Sequence, residues 1–145
     1  MTKVLFLDID GVLNKKSDYE VRMPENDILR INMVLVDRLK DIVQETGCKV
    51  VLSSSWRNVG GGREFAEQCC GFEFLDITPS YLETRGHEIQ QWLDNNPTDR
   101  YAIVDDDSDM LDGQLKNFFQ TEFEHGLTET VAYRIKYHLN KTEVS

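Results

Sequence analysis

The sequence predicts an α/β fold, a parallel sheet of about five strands flanked by helices. Three observations lead there. The apolar runs Val4–Leu7, Val50–Leu52 and Tyr101–Val104 are continuous rather than alternating, the pattern of strands covered on both faces. Between them lie stretches whose apolar residues recur every three or four positions, as on the buried face of a helix. With 145 residues, 40% of them hydrophobic and 29% charged, the chain suits one globular domain. A domain of that size buries roughly two thirds of its unfolded surface.

Each element follows in order. Lys3–Leu7 is the first strand and ends in Asp8-Ile9-Asp10-Gly11. A polar stretch, residues 14–27 with Pro24, precedes Ile28, Ile31, Leu35, Leu39 and Ile42, which are spaced for a helix stopping near Gly47. Lys49–Leu52 is the second strand and runs into Ser53-Ser54-Ser55-Trp56-Arg57. Gly60–Gly62 marks a mobile loop, Arg63–Cys70 a short helix and Phe72–Ile77 a third strand. Gly86–Asp94 reads as a helix with Ile89, Trp92 and Leu93 inward, stopped by Asn95-Asn96-Pro97. Tyr101–Val104 is the fourth strand, ending in Asp105-Asp106-Asp107, and Asn117–Thr121 the fifth. Leu127, Val131, Ile135 and Leu139 step by four along a closing helix. The domain spans residues 1–140, followed by a polar tail at 141–145.

Composition excludes several classes. No apolar run approaches the roughly 18 residues of a membrane span, and Val4–Leu7 is too short for a signal-peptide core, so a cytoplasmic protein is expected. Cys48, Cys69 and Cys70 are odd in number and lack metal-binding spacing, which fits a reducing compartment. A net charge of −10 disfavours non-specific binding to DNA or RNA, where cations neutralising phosphates supply the affinity. The acids are unevenly spread: nine fall between Asp99 and Glu129, and six of these precede residue 113.

Position gives the acids their meaning. In open α/β sheets, ligands bind outside the carboxyl ends of the strands. Three strands end there in reactive residues: Asp8 and Asp10, Ser53 and Ser54, Asp105 and Asp106. Carboxylates converging on one rim repel unless a cation or protons intervene, and hard oxygen ligands favour Mg²⁺. Gly11 provides a bend that can aim Asp8 and Asp10 at one ligand. One carboxylate can attack phosphorus and carry an aspartyl-phosphate, while a second moves the protons.

The run Asp8-Ile9-Asp10-Gly11-Val12-Leu13 resembles the first motif of the haloacid dehalogenase (HAD) superfamily of phosphotransferases. Ser53 resembles its second motif and the acids after Val104 its fourth. The set Leu7–Asn14, Val51–Arg57, Arg85–Leu93, Ile103–Met110 and Gly126-Leu127-Thr128 is most similar to the HAD domain named from Swiss Army Knife RNA repair proteins. The resemblance implies a single Rossmann-like domain and a Mg²⁺-dependent phosphomonoesterase. It makes Asp8 the nucleophile and a metal ligand. Asp10 becomes the general acid/base, with its backbone carbonyl on the metal. Ser53 would bind the phosphoryl group, Asp106 would be the metal carboxylate, and Asp105 and Asp109 would be supporting acids. A cation must also offset the phosphoryl charge, and here Arg85 is the first choice and Arg57 the alternative, with Gly11, Ser54 and Arg57 as substrate contacts.

Other residues have plainer readings. Trp56 offers either a face for base stacking or core packing, Trp92 belongs in the core, and His87 is a polar surface residue. The segments Gly11–Ile28 and Phe74–Gly86 hold a flap but no separate cap domain, which leaves room for a large phosphorylated substrate such as a nucleic-acid end. Lys15, Lys16, Arg22, Arg57, Arg63 and Arg85 would ring the site with positive charge on an acidic body. The alternatives are a nucleotide or other small-molecule phosphatase, a catalytically silent module, and a receiver-type signalling domain. The sequence leaves the oligomeric state open.

Overall fold

The computed structural model describes residues 1–20, 30–80 and 82–141. Its elements are β1 (Lys3–Leu7), α1 (Lys16–Glu20), α2 (Met33–Thr46), β2 (Lys49–Leu52), α3 (Gly62–Cys70), β3 (Asp76–Ile77), α4 (Arg85–Asn95), β4 (Arg100–Asp105), β5 (Phe118–Gln120) and α5 (Glu129–Asn140). Two 3-10 turns, Ser55–Asn58 and Asp112–Asn117, follow β2 and precede β5. All five strands are parallel, in the order β3-β2-β1-β4-β5.

The pleat sorts the strand residues onto two buried faces. Leu5, Leu7, Val50, Leu52, Ala102 and Val104 pack with Leu39 and Ile42 of α2, Ala66 and Cys70 of α3, and Ile135 and Leu139 of α5. Val4, Phe6, Val51 and Ile103 meet Ile89 and Trp92 of α4 on the opposite face. The Trp92 ring stands edge-on to Phe6 at 5.4 Å, and its indole N–H donates to Asp76 at 2.7 Å. Trp92 is a core residue, as its spacing from Ile89 predicts.

Several boundaries differ from the sequence-based expectation. The first long helix starts at Met33 because the Asn32 side chain accepts from the Val34 N–H and caps it. Ile31 packs against the core from outside the helix, and Ile28 lies outside the described residues. The third strand shrinks from Phe72–Ile77 to Asp76–Ile77. The Phe74 N–H donates to the Glu67 carboxylate at 2.6 Å and its carbonyl accepts from Arg63 at 2.9 Å, so α3 side chains take groups a ladder would need. The described start of the flap is helical: α1 is tied down by the Lys16 N–H on the Phe123 carbonyl and by Tyr19 against Phe123.

The strand order also separates two of the functional alternatives. A receiver-type domain has the flavodoxin-like order 2-1-3-4-5. The observed order, 3-2-1-4-5, is that of the Rossmann sheet without its sixth strand. The chain reverses direction across the sheet between β1 and β4, and the crevice above that switch point is where ligands bind.

Candidate active site

Parallel strands bring the ends of β1, β2 and β4 to one rim. The Asp8 N–H still reaches the Val104 carbonyl at 3.1 Å, and the Ser53 N–H the Leu7 carbonyl at 2.9 Å, so both residues are fixed by the sheet. Asp8, Asp105 and Asp106 each turn a carboxylate oxygen to one point, with the three atoms within 4.8 Å of one another. Asp8 and Asp105 are buried and Asp106 is half-buried. Arg85, the first residue of α4, reaches over them: one guanidinium nitrogen lies 3.1 Å from Asp8 and 2.7 Å from Asp105.

This charge balance leaves the centre short of positive charge. Burial, then the neighbouring Asp105, push the Asp8 carboxyl well above the usual carboxylate range against the pull of Arg85. Burial and Asp105 likewise raise Asp106. Arg85 loses by burial but is held above its usual value by Asp8 and Asp105. Three hard oxygen donors around one point, with one guanidinium for three carboxylates, fit a divalent cation of the Mg²⁺ type. The Ser53 hydroxyl, fully buried with no hydrogen-bond partner among the described residues, fits an oxygen acceptor brought in from outside.

Gly11 makes the cluster possible. The turn at Asp8–Gly11 closes with the Val12 and Leu13 N–H groups on the Ile9 carbonyl, and Gly11 itself has φ +80°. A Cβ at Gly11 would stand 2.2 Å from the Asp106 carboxylate, so Gly11 is a packing partner of the acid cluster. Gly11→Ala is expected to destabilise the fold by about 1–3 kcal/mol, from the left-handed backbone and the clash together. Thermal melting of the two proteins checks it.

Asp10 is placed differently from its neighbour. Its carboxylate lies outside the three-acid cluster and accepts from the Tyr19 hydroxyl at 2.6 Å, the Asn14 amide at 3.0 Å and the Trp56 indole at 3.1 Å. Trp56 is 3% exposed, so the stacking role considered for it gives way to packing and to holding Asp10. Asn14, Tyr19 and Trp56 were not singled out for Asp10 by sequence, although Asn14 stands four residues beyond it. Asp109 also departs from the cluster. One of its oxygens accepts from the Arg85 backbone N–H at 3.1 Å, and it serves the start of α4; its other oxygen is buried with no partner among the described residues.

Arg57 does not face the substrate rim. Its five N–H donors go to the carbonyls of Ser53, Ser54, Thr78 and Pro79 and to the Glu88 carboxylate at 2.9 Å. The side chain is 3% exposed, so Arg57 clamps the loop that carries Ser53. Ser54 is buried too, and its hydroxyl caps the following 3-10 turn through the Trp56 N–H. Of the two arginines weighed for the cation beside the phosphoryl group, the acid cluster holds Arg85. The expected basic ring loses members accordingly. Arg63 is engaged by Glu67 and the Phe74 carbonyl, and Arg22 lies outside the described residues.

A 3-2-1-4-5 parallel sheet with an acidic turn after its central strand, a serine after the next and paired acids after the fourth has the organisation of the HAD class. The family profile described as the HAD domain in Swiss Army Knife RNA repair proteins matches residues 4–132, and the chain belongs to that family. No curated protein and no solved structure matches the chain significantly. Membership points to hydrolase chemistry on phosphoesters. No described helix is long and apolar enough to cross a membrane.

Proposed function

We propose that this domain is a Mg²⁺-dependent phosphomonoesterase that works through an aspartyl-phosphate on Asp8 and acts on a polynucleotide end. The observation that carries the reaction is the meeting of Asp8, Asp105, Asp106 and Arg85 at the carboxyl end of the central strand. Asp8, Asp105 and Asp106 would hold the cation, which when bound supplies positive charge for the phosphoryl oxygens.

The chain's own groups do the rest. An Asp8 carboxylate oxygen attacks phosphorus, and the bond from phosphorus to the leaving oxygen breaks. Asp10 gives that oxygen a proton, then takes one from the water that cleaves the acyl phosphate. Arg85 and the Ser53 hydroxyl bind the phosphoryl oxygens, and since this reaction is mostly positioning and electrostatics, both act by being fixed in advance. Tyr19, Asn14 and Trp56 fix Asp10. Tyr19→Phe is expected to lower kcat several-fold while leaving the melting temperature nearly unchanged, because Tyr19 is only half-buried.

The polynucleotide reading rests on the family's association with RNA repair proteins; among the described residues the flap contributes the short helix α1. Phosphate release from an aryl phosphate, mononucleotides and oligonucleotides with 3′- or 5′-phosphates, with Mg²⁺ or chelator, tests both parts. A marked preference for one oligonucleotide end is the expected result. A preference for mononucleotides overturns the polynucleotide part alone, and no Mg²⁺-dependent release from any substrate overturns both.

A further inference from the structure

The flank formed by β5 and α5 carries a second, unrelated surface. The chain has 26 acids against 16 bases, yet Val131–Lys141 and Gly113–Thr121 contain no acid at all. These two segments meet around a cavity of about 250 Å³ lined by Lys116, Phe119, Tyr133, Arg134, Tyr137 and Lys141, together with His138. None of the three cations pairs with a described carboxylate, whereas Lys136, farther round α5, is taken by Glu45 at 2.9 Å. Tyr133 and Tyr137 are 65% and 63% exposed, more than any other aromatic ring among the described residues.

The place is remote from the acid cluster. Helix α5 starts near the carboxyl rim, where the Leu127 N–H meets the Val12 carbonyl, and ends at the opposite edge, where Lys3 reaches Asn140. Arg100 holds the helix end there through the carbonyls of His138 and Lys141. The cavity lies along this flank, with Lys116 just before β5. The local field is positive: burial, together with Arg100 and Lys141, pulls the His138 imidazole below its usual value, leaving a neutral ring packed on Phe119 at 5.3 Å.

The geometry points to a docking surface for single-stranded nucleic acid on the β5–α5 flank, with Tyr133 and Tyr137 stacking bases and Lys116, Arg134 and Lys141 contacting phosphates. Two tyrosines four residues apart on a helix stand about 6 Å apart along its axis, offering successive stacking faces. The cations come from three separate points of the chain, which suits an extended polyanion better than one small anion. An acidic peptide would use the cations but leave the rings unexplained. This inference needs no phosphatase activity.

The test is fluorescence anisotropy of a short single-stranded oligonucleotide without terminal phosphates, at low salt. Wild type is expected to bind, and Tyr133→Ala/Tyr137→Ala to bind at least about tenfold more weakly. Lys116→Glu/Arg134→Glu/Lys141→Glu should also weaken binding and reduce the slope of log affinity against log salt by about 2, near 0.7 per phosphate contact. Absence of wild-type binding overturns the inference. So does undiminished binding by both folded variants, or equal affinity for a polyglutamate peptide.

Discussion

Asp8→Asn is expected to melt higher than wild type when divalent cations are chelated. Asp8 is buried against Asp105 and Asp106, and its carboxyl is pushed well above the usual range, chiefly by burial. The folded state therefore holds that proton more tightly than the unfolded chain, whose carboxyl titrates near about 3.9. The stabilising effect of protonating Asp8 is complete below that unfolded value and is lost as pH rises through the raised folded one. Wild type and Asp8→Asn should thus melt alike in acid and diverge toward neutral pH. The divergence should grow as pH rises through the raised folded value. Mg²⁺ should reverse the ranking by stabilising wild type by an amount that grows with the logarithm of its concentration above Kd. Melting scans across pH, with chelator and with Mg²⁺, decide it. A variant less stable than wild type at neutral pH without metal would contradict this account of the cluster's charge.

Arg57→Met carries the largest expected loss of stability. The substitution leaves the buried Glu88 carboxylate without its cation and the carbonyls of Ser53, Thr78 and Pro79 without the guanidinium donor, while Ser54 keeps the backbone N–H of residue 57. Breaking a buried pair by removing one partner costs about 3–5 kcal/mol. Domains of this kind have only about 5–15 kcal/mol in total. The melting temperature should fall on the order of 10 °C. An arginine serving only substrate would behave otherwise: KM would rise and the melt would stay in place. Urea titration of Arg57→Met beside wild type separates the two roles.

How much the sequence disclosed depends on where the deciding interaction lies. The strands at Lys3–Leu7, Lys49–Leu52 and Arg100–Asp105 were legible because burial on both faces demands continuous apolar residues, and that demand is local. The carboxylates of Asp8, Asp105 and Asp106 followed from the rule that parallel strands share a functional rim. The third strand was over-read because Phe72 and Phe74 look like strand residues. Only the fold reveals that Glu67 and Arg63 take up the backbone of Phe74. The role of Arg57 was hidden for a similar reason. Its partners Thr78, Pro79 and Glu88 lie more than twenty residues away, and nothing in a Ser-Ser-Ser-Trp-Arg run distinguishes a clamp from a substrate contact. The setting of Asp10 was likewise tertiary, since Trp56 reaches it from beyond β2.

The central claim is that Asp8 is the nucleophile of a metal-dependent phosphoester hydrolysis. Its most direct test is phosphate release by wild type and Asp8→Asn at saturating Mg²⁺, on the best substrate of the panel and with both proteins shown to be folded. The account predicts turnover by wild type that disappears with chelator, and none above background in Asp8→Asn. Mg²⁺-dependent turnover by Asp8→Asn at a rate comparable to wild type would contradict it.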